Sequence, residues 1–111
     1  PDTRTAIEPL ETVLDIISRV PGRLAPQDVN QARKNLAIVY FVSLDLPNQT
    51  AADRAKNIDK AIQHYETYLQ NAPRPVLEER YQYANFLYRK ATMDRDDDKV
   101  DLAISIAFER N

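Results

Sequence analysis

The stretch Ala61 to Pro73, Ala-Ile-Gln-His-Tyr-Glu-Thr-Tyr-Leu-Gln-Asn-Ala-Pro, does most to limit what this chain can become. Ala61, Tyr65, Tyr68 and Leu69 fall on one helical face at spacings of four, three and one. The small side chain of Ala61 lets another backbone come close, and Tyr65 and Tyr68 fill the space beside it. Pro73 cannot continue the helix and disfavours helical geometry at Ala72. The stretch reads as a helix pressed on a neighbour, then a sharp stop.

It has relatives inside the chain. Ala6 to Leu14 and Ala61 to Leu69 are identical at five of nine positions: Ala6/Ala61, Ile7/Ile62, Glu11/Glu66, Thr12/Thr67 and Leu14/Leu69. A weaker third copy begins at Ala103-Ile104 and continues to Ala107 and Phe108. Internal self-similarity of this kind points to a repeat architecture, and the unequal spacing of the copies requires insertions.

Leu36-Ala37-x-x-Tyr40, followed by Ala61-x-x-x-Tyr65-x-x-Tyr68 and Pro73, resembles the tetratricopeptide repeat (TPR) family. That family pairs antiparallel helices A and B. Leu36, Ala37 and Tyr40 match its helix A; Ala61, Tyr65 and Pro73 match its helix B. Tyr68 stands where the family has a small residue, Arg33 stands near the place of its early Trp, and the Tyr40–Ala61 link is longer than standard. Tyr83-Ala84-x-x-Leu87 with Ala103-x-x-x-Ala107 gives a degenerate second match. The resemblance implies an all-α, antiparallel helical-hairpin array, a TPR-like α-solenoid segment of about five helices ordered B–A–B–A–B.

At 111 residues the chain has the size of one domain, 1–111. A single glycine, Gly22, suits an all-helical protein. The net charge of −2 provides no basic field for nucleic acid or acidic lipid. The absence of cysteine removes disulfides, thiolate metal sites and cysteine catalysis, and points to a reducing compartment such as the cytoplasm. No run is long enough to span a bilayer. The chain opens on Pro1 and closes on Asn111 straight after an apolar helical pattern, so it reads as a piece of a longer protein.

Taken in order, helix 1 covers about Thr5 to Arg19, with Thr5 and Glu8 at capping-box spacing and Pro21-Gly22 as its breaker. Its apolar face is Ile7, Leu10, Leu14 and Ile17, widened by Val13. Helix 2 runs from Pro26, a good first helical residue, to about Leu44. Val29, Ala32, Leu36, Ala37 and Tyr40 form its main stripe; Ile38, Phe41 and Val42 add a second. Asp45 to Gln49 is a turn. Helix 3 starts after Thr50 and runs to about Asn71, its polar first half projecting past the tip of helix 2. Pro75 opens helix 4, which runs to about Ala91 with Leu77, Tyr81, Ala84 and Tyr88 on one face and Tyr83, Phe86 and Leu87 spreading the apolar surface further. Thr92 to Asp98 is a polar connection. Helix 5, from about Lys99 to Arg110, turns Val100, Ala103, Ile104, Ala107 and Phe108 inward.

Little in the sequence speaks for catalysis. Asp94 to Asp98 lacks the mid-loop Gly and closing Glu of an EF-hand, and reads as a solvated cap for helix 5. His64 is the one histidine, with neither Cys nor a helical His partner for zinc, and reads as a half-exposed helical residue. No Gly-rich phosphate loop or nucleophile elbow occurs. The reading is of a non-enzyme with no cofactor and no metal.

A groove remains. In TPR arrays the A helices line the concave side, which holds a peptide or helix. Carried over residue by residue, the resemblance assigns that face to Gln31, Lys34, Ile38 and Phe41, joined by Glu78, Tyr81, Asn85, Tyr88 and Arg89. Aromatic and Arg residues are typical hot spots. Lys34 and Arg89 favour an acidic or C-terminal ligand. The family's carboxylate clamp needs Asn where Ile38 stands, which argues against chaperone tails. The expectation is a protein–protein interaction module or scaffold segment with a protein or peptide partner, no nucleic acid and no membrane, and self-association through exposed terminal helices. The alternative is a structural or regulatory segment packing in cis within a larger enzyme or signalling protein.

Overall fold

Five helices make up the described structure of the chain, a computed structural model: α1 (Ile7–Arg19), α2 (Pro26–Ser43), α3 (Ala51–Asn71), α4 (Leu77–Asp94) and α5 (Asp97–Ala107). The structure describes residues 7–19, 25–72, 74 and 76–108, without the side chains of Glu8, Ile17, Ser18 and Asp97. The Thr5–Glu8 cap, the inward place of Ile17, the Pro21-Gly22 break, Pro73, Pro75 and the end of helix 5 at Arg110 lie outside the described residues. No strand occurs among those described. The contacts fall into two compact units, Pro1–Ala72 and Pro73–Asn111.

The first unit holds α1, α2 and α3. Pro26 occupies the start of α2, where its missing N–H costs nothing. Leu36 and Ala37 are completely buried and Tyr40 nearly so, as the stripe predicts, while Val29 and Ala32 are half-buried. Facing them on α3, Ile58, Ala61 and Tyr65 are buried, and Ile62 is at the edge of burial. Fully burying one such large side chain is worth about 1.5–3 kcal/mol. Tyr65 and Tyr68 meet edge-to-face, ring centres 5.6 Å apart. The second stripe of α2 is weaker than expected: Ile38 and Phe41 are half-buried, and Val42 is exposed.

The turn between α2 and α3 is held by its own polar residues. Asn48 takes the left-handed conformation at φ 64°, which asparagine tolerates. Gln49 Nε2 donates to the carbonyls of Ser43 (2.6 Å) and Leu46 (2.7 Å), and Gln49 Oε1 accepts from Asn57 Nδ2 at 3.3 Å. Thr50 and Asp53 close a reciprocal capping box at the start of α3. The first half of α3 does not project freely. Arg54 reaches back to the carbonyls of Leu44 (3.3 Å) and Gln49 (3.4 Å), and Ile58 is fully buried. Those bonds satisfy the carbonyl of Leu44 at the end of α2 and that of Gln49 in the turn, and tie the start of α3 to both.

The second unit is a helical hairpin. α4 continues past Ala91 to Asp94, so the polar connection expected over Thr92–Asp98 shrinks to Arg95 and Asp96. Arg95 turns the chain in left-handed geometry (φ 56°, ψ 44°), and its N–H bonds back to α4. Asp96 then accepts from the N–H of Lys99 at 3.2 Å as the N-cap of α5. The capping role read for the acidic run thus falls to its middle residue.

The face of α4 that carries Leu77, Tyr81, Ala84 and Tyr88 divides between exposed and buried residues. Leu77, Tyr81 and Tyr88 are exposed, whereas Phe86 is completely buried together with Glu79, Ala84 and Ala91. Apolar residues span more than half the circumference of α4, opposite a polar sector of Glu78, Gln82, Asn85 and Arg89, so spacing alone does not say which part of that arc is buried. Glu79 tolerates burial because its carboxylate accepts from the N–H of Val76 at 3.1 Å, in the first turn of the helix. On α5, Ala103 faces in as expected, but Ile104 and Phe108 are exposed. No helix among the described residues is long and apolar enough to cross a membrane.

Candidate functional site

In the second unit, small residues on both helices set the geometry. Ala84 and Ala103 are almost fully buried and form the floor of an apolar groove between α4 and α5. Its walls carry Tyr81, Asn85 and Tyr88 from α4, and Ile104, Ala107 and Phe108 from the far side. Tyr81 and Phe108 meet edge-to-face with ring centres 6.5 Å apart, which joins the start of α4 to the end of α5. Tyr81 and Tyr88 are each 44% exposed and Phe108 63%. The groove holds about 220 Å³. Small-molecule sites run to roughly 300–1,000 Å³, so this space fits a side chain or two of a larger partner better than a free metabolite.

Of the nine residues read from sequence, Tyr81, Asn85 and Tyr88 are thus brought together. Glu78 is exposed and Arg89 half-buried, and neither lines the groove. Gln31, Lys34, Ile38 and Phe41 stand on α2 in the first unit. Gln31 donates to Asn35 along its own helix at 3.1 Å. The Lys34 ammonium lies 5.4 Å from the centre of the Tyr68 ring, a cation–π contact inside the unit. The residues missed were Ile104, Ala107 and Phe108, assigned to the core because they recur at helical spacing. The available signal was Ala84 and Ala103, small enough to let two helices close beneath larger neighbours.

A second cluster joins all three helices of the first unit. Tyr40 donates its hydroxyl to Glu11 Oε1 over 2.6 Å, and His64 Nε2 lies 3.2 Å from the same oxygen. An ionised carboxylate only accepts, so Nε2 carries the hydrogen. The rings of Tyr40 and His64 stack, centres 5.9 Å apart and planes 10° from parallel. Burial, followed by the hydrogen bond to Glu11 and its charge, pushes the Tyr40 phenol far above its usual range. Burial lowers His64, against the upward pull of the Glu11 charge and hydrogen bond; Lys60 and Arg33 lower it further. The His64 side chain is only 18% exposed, less than its sequence context implies. Its partner lies 53 residues away, where helical periodicity gives no sign of it. Among the described residues, no group of three or more His, Cys, Asp or Glu is placed to hold a metal ion.

No protein-family model, curated protein or solved structure matches this chain.

Proposed function

We propose that this chain is a protein-interaction module, and that the groove between α4 and α5 seats apolar side chains from a helix of a partner protein. The observation that carries this reading is the cluster of partly exposed aromatic residues, Tyr81, Tyr88 and Phe108, around a floor made by Ala84 and Ala103. Large rigid rings offer contact area at low entropic cost, and aromatic side chains dominate interface hot spots. Asn85 is the polar residue that would fix the register of the incoming helix. The lining offers an amide and two phenols as its polar groups, which suits binding better than catalysis.

The finer architecture belongs to the same proposal. The residues that carry the TPR resemblance, Leu36, Ala37 and Tyr40 on α2 with Ala61 and Tyr65 on α3, are all buried, as a packed A–B pair requires. In that arrangement α1 and α3 are B helices, and α2 and α4 are A helices.

The test is selection of displayed amphipathic helical peptides against the purified chain. Peptides with apolar residues at i and i+4 or i+7 are expected to bind, and Tyr88→Ala and Phe108→Ala to remove that binding with little change in melting temperature. Loss of stability without loss of binding would assign both residues to packing and return the function to a segment that packs in cis.

A further inference from the structure

We infer that α2 and α3 together form an acceptor site for an acidic amphipathic helix of a partner protein, and that α1 fills this site until such a helix replaces it. The site reads one carboxylate. Tyr40 on α2 donates its hydroxyl, and His64 on α3 its Nε2–H, to the same oxygen of Glu11. Arg33 on α2 and Lys60 on α3 add positive charge around His64. Two donors thus converge where two cations lie close, although the chain as a whole carries a net charge of −2. The sequence of α1 is acidic to match, with Glu8, Glu11 and Asp15 against Arg19 alone. The site belongs to the first unit and does not rest on the reading of the groove between α4 and α5.

The acceptor is built without α1. The hydrogen bonds that tie α2 and its end to α3, from Asn30 to Tyr68 and from Arg54 to Leu44, involve no α1 residue. The Tyr40 and His64 rings stack on each other, so both donors are aimed before a carboxylate arrives. The hold of α1 on this surface is shallow. Among its described side chains none is fully buried: Ile7, Leu10, Glu11 and Leu14 are half-covered, and Val13 and Ile16 are 46% and 56% exposed. Elements with few buried contacts open at the lowest free energy. What α1 offers is a signature: a glutamate with aliphatic residues four and one positions before it and three positions after it. Any amphipathic helix of that pattern presents the same face. It competes with a tethered α1, whose effective concentration is on the order of millimolar.

The probe is a fluorescent synthetic peptide with the sequence Ile7–Arg19, titrated against the full chain by polarisation. Binding to the unaltered chain should be weak, because α1 occupies the site. Glu11→Lys in the chain sets a cation beside His64, Arg33 and Lys60, so α1 yields the site and peptide affinity should rise at least about tenfold. A peptide carrying Glu11→Ala should bind that variant at least about tenfold more weakly, because its charge-assisted hydrogen bonds are gone. Tyr40→Phe, added to Glu11→Lys, keeps the stack and removes one donor. It should weaken the glutamate peptide several-fold and leave the alanine peptide unchanged, a coupling that reports the contact itself. Hydrogen exchange of the Glu11→Lys chain should show α2 and α3 still protected and α1 not. Loss of protection throughout would make α1 part of the fold and overturn the exchange. Equal peptide affinity for the unaltered chain and Glu11→Lys, or additive effects of the Tyr40 and peptide changes, would overturn it as well. A dimer of the unaltered chain in sedimentation, abolished by Glu11→Lys, would give the site to α1 of a second copy and overturn the partner reading.

Discussion

Asn30 on α2 donates its side-chain amide to the backbone carbonyl of Tyr68 on α3, over 2.9 Å, and keeps its own Oδ1 buried without a partner. The N–H of Ala72, four residues on, bonds instead to Leu69 as α3 ends. Asn30 therefore caps a neighbouring helix from the side, at the cost of one unsatisfied acceptor. Asn30→Ala should destabilise the first unit by about 0.5–1.5 kcal/mol, because a part-buried hydrogen bond between α2 and α3 is lost. Asn30→Asp should cost more, since it buries a charge and offers only acceptors to a carbonyl. Urea melts of the three proteins give the order directly.

Ala61 is fully buried on α3, while Ala52 is exposed nine residues earlier on the same helix. Ala61→Leu should overpack the contact with α2 and cost about 1–3 kcal/mol. Ala52→Leu should be nearly neutral. Equal effects in denaturant melts would show that α3 does not press on α2 through Ala61.

These two sites mark what periodicity can and cannot show. Ala61 and Tyr65 were legible because α3 has one apolar side, so their spacing names the buried face. The start of α3 after Thr50 and that of α2 at Pro26 were legible because helix ends are written in local residues. The face of α4 was not, since Leu77, Tyr81, Phe86, Leu87 and Tyr88 spread over more than half the helix circumference and leave the choice within that arc to tertiary packing. That is why Phe86 came out as core while Tyr81 and Tyr88 became groove walls. Asn30, Glu11 and His64 were illegible for a different reason. Each is a polar residue whose partner lies 38 or 53 positions away, and no local pattern encodes such a pairing.

Arg95 offers a route to a more stable protein. It closes α4 in left-handed geometry, which costs a residue with a Cβ about 1–2 kcal/mol. Arg95→Gly removes that strain but adds freedom to the unfolded chain, worth roughly 0.5–1 kcal/mol. The net expectation is a gain of up to about 1 kcal/mol. Arg95→Val should destabilise, because a β-branched residue fits this geometry worse than arginine. Paired thermal melts check both signs, and a destabilised glycine variant would show that the arginine side chain contributes more than its backbone costs.

Ala107 lines the groove and is half-buried, so enlarging it fills the cleft from within. Ala107→Leu adds three carbons to a space of about 220 Å³ that is open to solvent, so crowding of the core is avoided. Each buried methylene contributes about 0.8 kcal/mol at most, and the melting temperature should hold or rise. Binding of a groove-seated helix should weaken by at least about tenfold, or roughly 1.4 kcal/mol, because its apolar side chains meet an occupied site. Ser105→Leu, on α5 but outside the groove lining, should leave binding intact. This pair avoids the weakness of alanine truncation, in which lost binding and lost packing point the same way. A filled groove that still binds its peptide with unchanged affinity would place the contact surface elsewhere on the chain, and titration calorimetry on the two variants decides it.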